Sequence, residues 1–408
     1  MKEVFGITGT NGKTTTSYML AEILKKKGEE CAVIGTVAHK IGDSSYPALN
    51  TTPGKDMLRK YMLEAGEKGI ETMILEVSSH GLEQGRTDEV PIKHAAFTNL
   101  SQDHMDYHKN MESYYLAKRK LFDFKTLTSA IINIDDNYGA RLLHELQINR
   151  PELKLASVSL EDENADFFAK VKKQSFSGTE FEIFVRLYGC AEKESTLLKI
   201  KTPGKHNVYD AVIATALAFC AAEHTCREDA YSELMTAKKA LACFEGADGR
   251  FQILTGKKDG VFAICDYAHT PDALEKLLAA VKELKTEDEC TRNGRVITVF
   301  GCGGDRDVEK RPIMGKTAGV LSDYTVITSD NPRSEDPLDI INDIEKGIYG
   351  TYADYCIIAD RKSAIEHAVN IARKGDIVVV AGKGHETYQI IGNVKKHFDD
   401  REIIRGIL

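Results

Sequence analysis

The chain has 408 residues, a length that predicts two or perhaps three domains. Hydrophobic residues make up 42% and charged residues 28%, the balance of an ordinary soluble globular protein. A net charge of −8 argues against broad nucleic-acid binding, and no apolar run approaches the roughly 18 residues that span a membrane.

The first predicted element is a strand, Val4–Thr8. It runs into the loop Gly6-Ile-Thr-Gly-Thr-Asn-Gly-Lys-Thr-Thr15, and a helical pattern follows from Thr16 to Lys25. In a strand, glycine loop and helix of this kind, backbone N–H groups at the helix N-terminus cradle phosphate oxygens. Lys13 is expected to reach the terminal phosphates, and Thr14 to place its hydroxyl on Mg²⁺. Ile7 stands where the usual nucleotide loop has its first glycine. A chain that opens on a core strand is expected to carry no signal peptide. Its nine cysteines are odd in number and scattered, with no C-x-x-C pair, which predicts a reducing compartment, by default the cytoplasm.

Further apolar runs predict strands at Cys31–Thr36, Thr72–Val77, His94–Thr98 and Ala130–Ile134, alternating with helical stretches. From Leu155 to Thr202 the pattern changes, and the alternation Phe181-Glu-Ile-Phe-Val-Arg-Leu predicts an antiparallel strand. Pro203-Gly204 breaks the chain before an Ala-rich helix, Val208–Ala222. A new series of strands follows at Val261–Cys265, Arg295–Phe300, Tyr324–Thr328 and Asp376–Ala381. The class is therefore α/β, with parallel sheets covered by helices. Glu-Gly-Ala-Asp-Gly has linker character, so a boundary is expected near Gly246–Gly249, dividing the chain into 1–246 and 247–408.

Glu76 ends the apolar run Met73-Ile-Leu-Glu, and a carboxylate there is well placed for Mg²⁺ beside a phosphate loop. The segment Phe97–His108 gathers Asp103, His104 and Asp106, which reads equally as a polar loop or a metal site. No Cys/His set completes a zinc site. Tyr114–Phe122 predicts a helix, on which composition alone makes Lys118 a solvated lysine.

Several motifs occur in one order: the Gly6–Thr15 loop, Asn50-Thr-Thr-Pro53, Glu76-Val-Ser-Ser-His-Gly81, Phe97–His108, Ala117-Lys118 and Ile132-Asn-Ile-Asp-Asp136. In the second half come Asp266-Tyr-Ala-His-Thr-Pro271, Phe300–Asp307, Lys310-Arg-Pro312, Asp330-Asn-Pro-Arg333 and Gly382-Lys-Gly-His-Glu386. Together they resemble the Mur ligase family, and within it the type that adds the third amino acid to a UDP-muramoyl dipeptide. The resemblance implies a central P-loop ATPase domain followed by a C-terminal Rossmann-like domain. It implies an acceptor carboxylate activated by ATP as an acyl phosphate, then captured by an amine to form an amide in peptidoglycan precursor synthesis.

By that resemblance Gly9, Thr10, Asn11, Gly12, Lys13, Thr14 and Thr15 hold ATP, with Asn207, Arg250, Asp266 and His269. His206 replaces the phenylalanine usual beside Asn207. Thr14, Glu76, His104 and Lys118 serve a pair of Mg²⁺ ions, Lys118 as a CO₂-derived carbamate, and Lys13, Glu76, His104, Lys118 and Arg250 are catalytic. Thr51, Thr52, Ser78, Gln84 and Arg86 resemble contacts to the muramoyl peptide. Arg306, Asp330, Asn331, Arg333, Gly382 and Glu386 resemble the amino-acid site, and Asp-Asn-Pro-Arg resembles the form that takes meso-diaminopimelate.

In the family a UDP-binding domain precedes the ATP loop, and this sequence starts at the strand of that loop. Three readings stay open: a truncated chain, a first domain supplied by a separate subunit, or a smaller acceptor without UDP. A non-catalytic nucleotide-binding partner is a further alternative, against which stand the intact Lys13, Glu76, His104 and Lys118.

Overall fold

The computed structural model describes residues 1–186, 193–222, 227–254, 260–351 and 353–408, and the side chains of Asp106 and Arg227 lie outside the description. The chain divides into two compact units, residues 1–173 with 178–245, and residues 174–177 with 246–408.

The strands of the first unit are β1 (Glu3–Thr8), β2 (Cys31–Ile34), β3 (Ala38–Ile41), β4 (Ser44–Pro47), β5 (Thr72–Glu76), β6 (His94–Phe97), β7 (Ser129–Asn133), β8 (Lys154–Ser159), β9 (Phe167–Ser175), β10 (Gly178–Arg186) and β11 (Lys193–Ile200). Among the described residues they form one sheet in the order β11-β10-β9-β8-β7-β6-β1-β5-β2-β3-β4. Strands β9 to β2 in that order pair in parallel, from β8 on β9 to β5 on β2. Antiparallel pairs include β2–β3 and β3–β4 at one end and β10–β11 at the other. The parallel strands are continuous apolar runs because both faces are covered: every residue of β5, β6 and β7 is buried. The helix Lys205–Ala221 is apolar all round and buried nearly throughout, packed against the helix Lys13–Lys26 and strands β6 to β8.

The second unit holds β12 (Gln252–Leu254), β13 (Phe262–Asp266), β14 (Val296–Phe300), β15 (Tyr324–Ile327), β16 (Tyr355–Ile357) and β17 (Ile377–Ala381), in the order β12-β13-β17-β14-β15-β16. All but β12 run parallel. A separate hairpin pairs β18 (Tyr388–Ile391) with β19 (Val394–His397). Two apolar clusters cover the two faces of the six-stranded sheet, one centred on Ile264, Phe300 and Val379, the other on Cys265, Val299 and Val380. Residues one apart in β17 fall in different clusters because successive side chains point to opposite faces. In an open parallel sheet, ligands bind beyond the carboxyl ends of the strands, so candidate residues are sought in each unit separately, where β1, β5 and β6 end in the first and where β13, β14, β15 and β17 end in the second.

Candidate active site

In the first unit, β1 ends in the glycine loop. Gly9 and Gly12 have φ of 147° and 86°. A side chain at Gly9 would strike Thr98, and one at Gly12 would strike Asp210, so both positions call for glycine. Gly12 caps the helix Lys13–Lys26, whose first-turn N–H groups have no intrahelical acceptors and suit an anion. The segment after β6 clamps this loop. Thr10 N donates to Asn99 O at 2.8 Å, Asn11 N to Asn99 Oδ1 at 3.0 Å, and Thr98 Oγ1 to Asn11 O at 2.6 Å. Ser101 N donates to Thr10 Oγ1 at 3.0 Å, and Asp210 accepts from Thr16 Oγ1 at 3.1 Å. Sequence reasoning missed Thr98, Asn99, Ser101 and Asp210; only the segment 97–108 had drawn attention, and for its candidate metal ligands.

Two lysines converge on one carbonyl. Lys13 Nζ donates to Gly9 O at 2.8 Å and to Thr10 O at 2.9 Å, and Lys118 Nζ donates to the same Gly9 O at 2.8 Å. Lys118 is not solvated, as composition would have it: it is 1% exposed, with its Nζ 4.5 Å from the Tyr114 ring centre. Its helix, Met111–Arg119, starts at an Asn110 cap that accepts from Ser113 N, and ends three residues before the expected run does. Burial pushes the Lys118 ammonium well below the ordinary lysine range, Lys13 adds repulsion, and Asp103 opposes both.

Glu76 at the end of β5 is fully buried. Its Oε2 accepts from Thr14 Oγ1 at 2.9 Å and Thr36 Oγ1 at 2.8 Å, and its Oε1 from Thr36 N at 3.0 Å. Thr36, two residues beyond β2, is a further residue the sequence reading did not select. Thr15 is buried in the same first turn. Thr51 joins the network through Thr36 at 3.1 Å. Thr52 Oγ1 bonds Glu76 O and Ser78 N, each at 2.9 Å, while Arg86 reaches Thr52 O at 2.7 Å and Gln84 Oε1 at 2.9 Å. The residues expected to meet the acceptor are therefore joined to two of those expected to meet the metal, Thr14 and Glu76, in one hydrogen-bonded cluster. The oxygen pair Thr14 and Glu76 fits Mg²⁺, which takes few protein ligands and fills its shell with water and phosphate. Among the described residues no three His, Cys, Asp or Glu side chains gather as a cage.

His104 sits in the left-handed region at φ 53°, an uncommon conformation for a non-glycine residue. Its ring lies 4.9 Å from that of His80, and its Nε2 3.5 Å from Asp103. Burial lowers its pKa against the pull of Asp103. Asn207 is buried, its amide donating to Pro203 O at 2.7 Å and lying 3.1 Å from His206 Nε2.

In the second unit, Asp266 ends β13 and accepts from Phe251 N at 2.6 Å and Ala268 N at 2.7 Å. Burial raises its carboxyl, while those amides and Arg250 pull it down. The Arg250 guanidinium lies 4.8 Å over the Tyr267 ring, and its Nε has no hydrogen-bond partner among the described residues. His269 is exposed, with Nδ1 2.8 Å from Tyr267 O.

The ends of β14, β15 and β17 carry the remaining candidates. Arg306 is exposed and donates to Asp305 O at 3.1 Å. Asp330 accepts from Asn331 N at 2.6 Å. Asn331 donates to Glu386 Oε2 at 3.0 Å and accepts from Ile390 N at 3.0 Å. Arg333, at φ 52°, bonds Ile390 O through its backbone at 3.1 Å and Gly304 O through its side chain at 2.7 Å. Gly382 N donates to Asp266 O at 3.0 Å. The β18–β19 hairpin, absent from the sequence reading, thus braces the Asp330–Arg333 loop.

Two family models match the chain: the Mur ligase middle domain over residues 7–218, and the Mur ligase, glutamate ligase domain over residues 249–384. The UDP-N-acetylmuramoyl-L-alanyl-D-glutamate--2,6-diaminopimelate ligase of Clostridium perfringens is 41% identical over 407 residues, covering 100% of this chain and 78% of that protein. The enzyme of the same name from Fusobacterium nucleatum is 41% identical over 405 residues, covering 99% and 76%. A solved structure of a ligase of that name superposes with a TM-score of 0.68 at 35% identity, covering 99% of this chain and 78% of the other. With both domains matched in order and the fold shared, the chain belongs to the Mur ligase family.

Proposed function

We propose that the chain is an ATP-dependent ligase that joins the carboxylate of a muramoyl dipeptide to the amine of meso-diaminopimelate, releasing ADP and phosphate. The convergence of Lys13 and Lys118 on Gly9 O, beside the Thr14–Glu76 pair, carries the reading. It supports a site where cations and a metal offset phosphate charge. Lys13 and the loop amides hold the ATP phosphates, with Asn207, Arg250, Asp266 and His269 assigned to the nucleotide. Thr14, Glu76 and His104 would hold Mg²⁺, which would supply charge neutralisation at the transferring phosphoryl group.

The acceptor carboxylate, held by Thr51, Thr52, Ser78, Gln84 and Arg86, bonds the γ-phosphorus as the bond to ADP breaks. The amine then bonds the acyl carbon and inorganic phosphate leaves. No protein nucleophile takes part, so the side chains act by positioning and by charge. Lys118 enters as a neutral amine: its nitrogen bonds CO₂, its N–H proton passes to solvent, and a carbamate results. That converts a cation into oxygen ligands for a second metal ion. The reaction belongs in the cytoplasm, where its ATP is.

Sustained ADP release is expected with ATP, Mg²⁺, UDP-N-acetylmuramoyl-L-alanyl-D-glutamate and meso-diaminopimelate together, and no turnover when either amide partner is left out. Release with the dipeptide lacking UDP would favour a smaller acceptor, and no release with any carboxylate would favour a non-catalytic role. Arg333→Ala should raise the KM for diaminopimelate by about a hundredfold, the loss of a charge-assisted bond of roughly 2–3 kcal/mol. The KM for ATP should stay within about twofold. Equal loss for every amino acid tested would remove Arg333 from the site.

A further inference from the structure

We propose that Lys383, which belongs to none of the groups assigned above, positions the amino-acid site and sets its charge preference. Lys383 lies two residues beyond β17 and is fully buried. Its Nζ donates to Glu386 Oε2 at 3.0 Å and to Asn331 Oδ1 at 3.1 Å, and it lies 5.6 Å from the Tyr388 ring centre. A buried ammonium is costly unless paired, and here both partners are candidate substrate contacts.

Two consequences follow from this geometry. First, the Asn331 amide has one orientation. Lys383 and Ile390 N occupy its oxygen, so its nitrogen must face Glu386 Oε2, to which it donates at 3.0 Å. Without Lys383 the amide could turn, and the Asn331–Glu386 bond would lose its direction. Second, the cation cancels the charge of Glu386. A substrate end that is only an ammonium, as in lysine, then finds its carboxylate already paired. A zwitterionic end still gains from the Arg333 guanidinium. Lys383 thus discriminates by withholding attraction from the wrong substrate as well as by shaping the right site.

This inference rests on the proposed diaminopimelate reaction, and its test is a comparison of two amino acids. In K383M, which keeps the length and removes the charge, the ratio of kcat/KM for meso-diaminopimelate to that for L-lysine should fall about tenfold or more. The change should appear in KM, raised for diaminopimelate and lowered for lysine, with the KM for ATP unchanged. E386Q, which keeps Lys383 and removes the anion, should shift the same ratio the opposite way, and it answers the question if K383M does not fold. An unchanged ratio in K383M, a uniform fall in kcat for both amino acids, or a shift of the same sign in the two variants would overturn the role. A wild-type protein inert with diaminopimelate would overturn the proposed function and this inference with it. An active wild type with an indifferent K383M overturns the inference alone.

Discussion

Replacing Lys118 with alanine is expected to lower kcat/KM for ligation by at least about a thousandfold, roughly 4 kcal/mol of transition-state stabilisation. The expectation comes from where the side chain ends. It is buried, it bonds the Gly9 carbonyl of the phosphate loop, and its charge is disfavoured by burial and by Lys13. A side chain that only supported the loop would lose one hydrogen bond, about 1 kcal/mol, and the enzyme would keep most of its rate. CO₂ separates the two roles. Wild-type activity should fall in CO₂-depleted buffer and return with bicarbonate, whereas Lys118→Ala should respond to neither. Lys118→Glu, which restores a carboxylate near the same place, should exceed alanine. Activity of both variants at wild-type level, at any CO₂ concentration, would return Lys118 to a packing role.

The second large effect concerns stability. Arg361 and Asp400 form an ion pair in which neither side chain is exposed. Arg361 Nε and Nη2 donate to the two Asp400 oxygens at 2.8 and 2.7 Å. The same guanidinium donates to Ser329 O at 3.4 Å and Ala381 O at 2.9 Å. Those carbonyls immediately precede Asp330 and Gly382, so Arg361 ties together the two strand ends that carry the candidate amino-acid site. Arg361→Met leaves a buried carboxylate without its partner, at a cost of about 3–5 kcal/mol. For a unit of this size the midpoint of its thermal transition should drop by roughly 10 °C. Scanning calorimetry can read this on the second unit's own transition if the two units melt separately. Arg361→Met combined with Asp400→Leu should recover much of the loss, because no charge is then left unpaired. A double variant no more stable than the single one would mean that the bonds to Ser329 and Ala381, and not the ion pair, carry the energy.

The α/β class was legible because each central strand is an apolar run covered on both faces, as in Met73-Ile-Leu and Val378-Val-Val. The phosphate loop was legible for a local reason: strand, glycine turn and helix follow one another without interruption, and the backbone itself is the ligand. Strands β4, β18 and β19 escaped because they are short and half-exposed or exposed, with no apolar period to mark them.

What no local pattern reveals is the burial of a charge. Lys118 meets its acceptor 109 residues away, Lys383 meets Asn331 across 52, and Arg361 meets Asp400 across 39. A lysine or arginine is exposed by default, and only a partner brought close by the fold makes its burial affordable. The loop clamp by Thr98, Asn99 and Ser101 is of the same kind: ordinary polar residues acquire a task because β6 ends beside β1. The sequence alone therefore determined the chemistry on offer, through the loop and the ordered motifs, while the tertiary structure decided which charged side chains are buried and what each one holds in place.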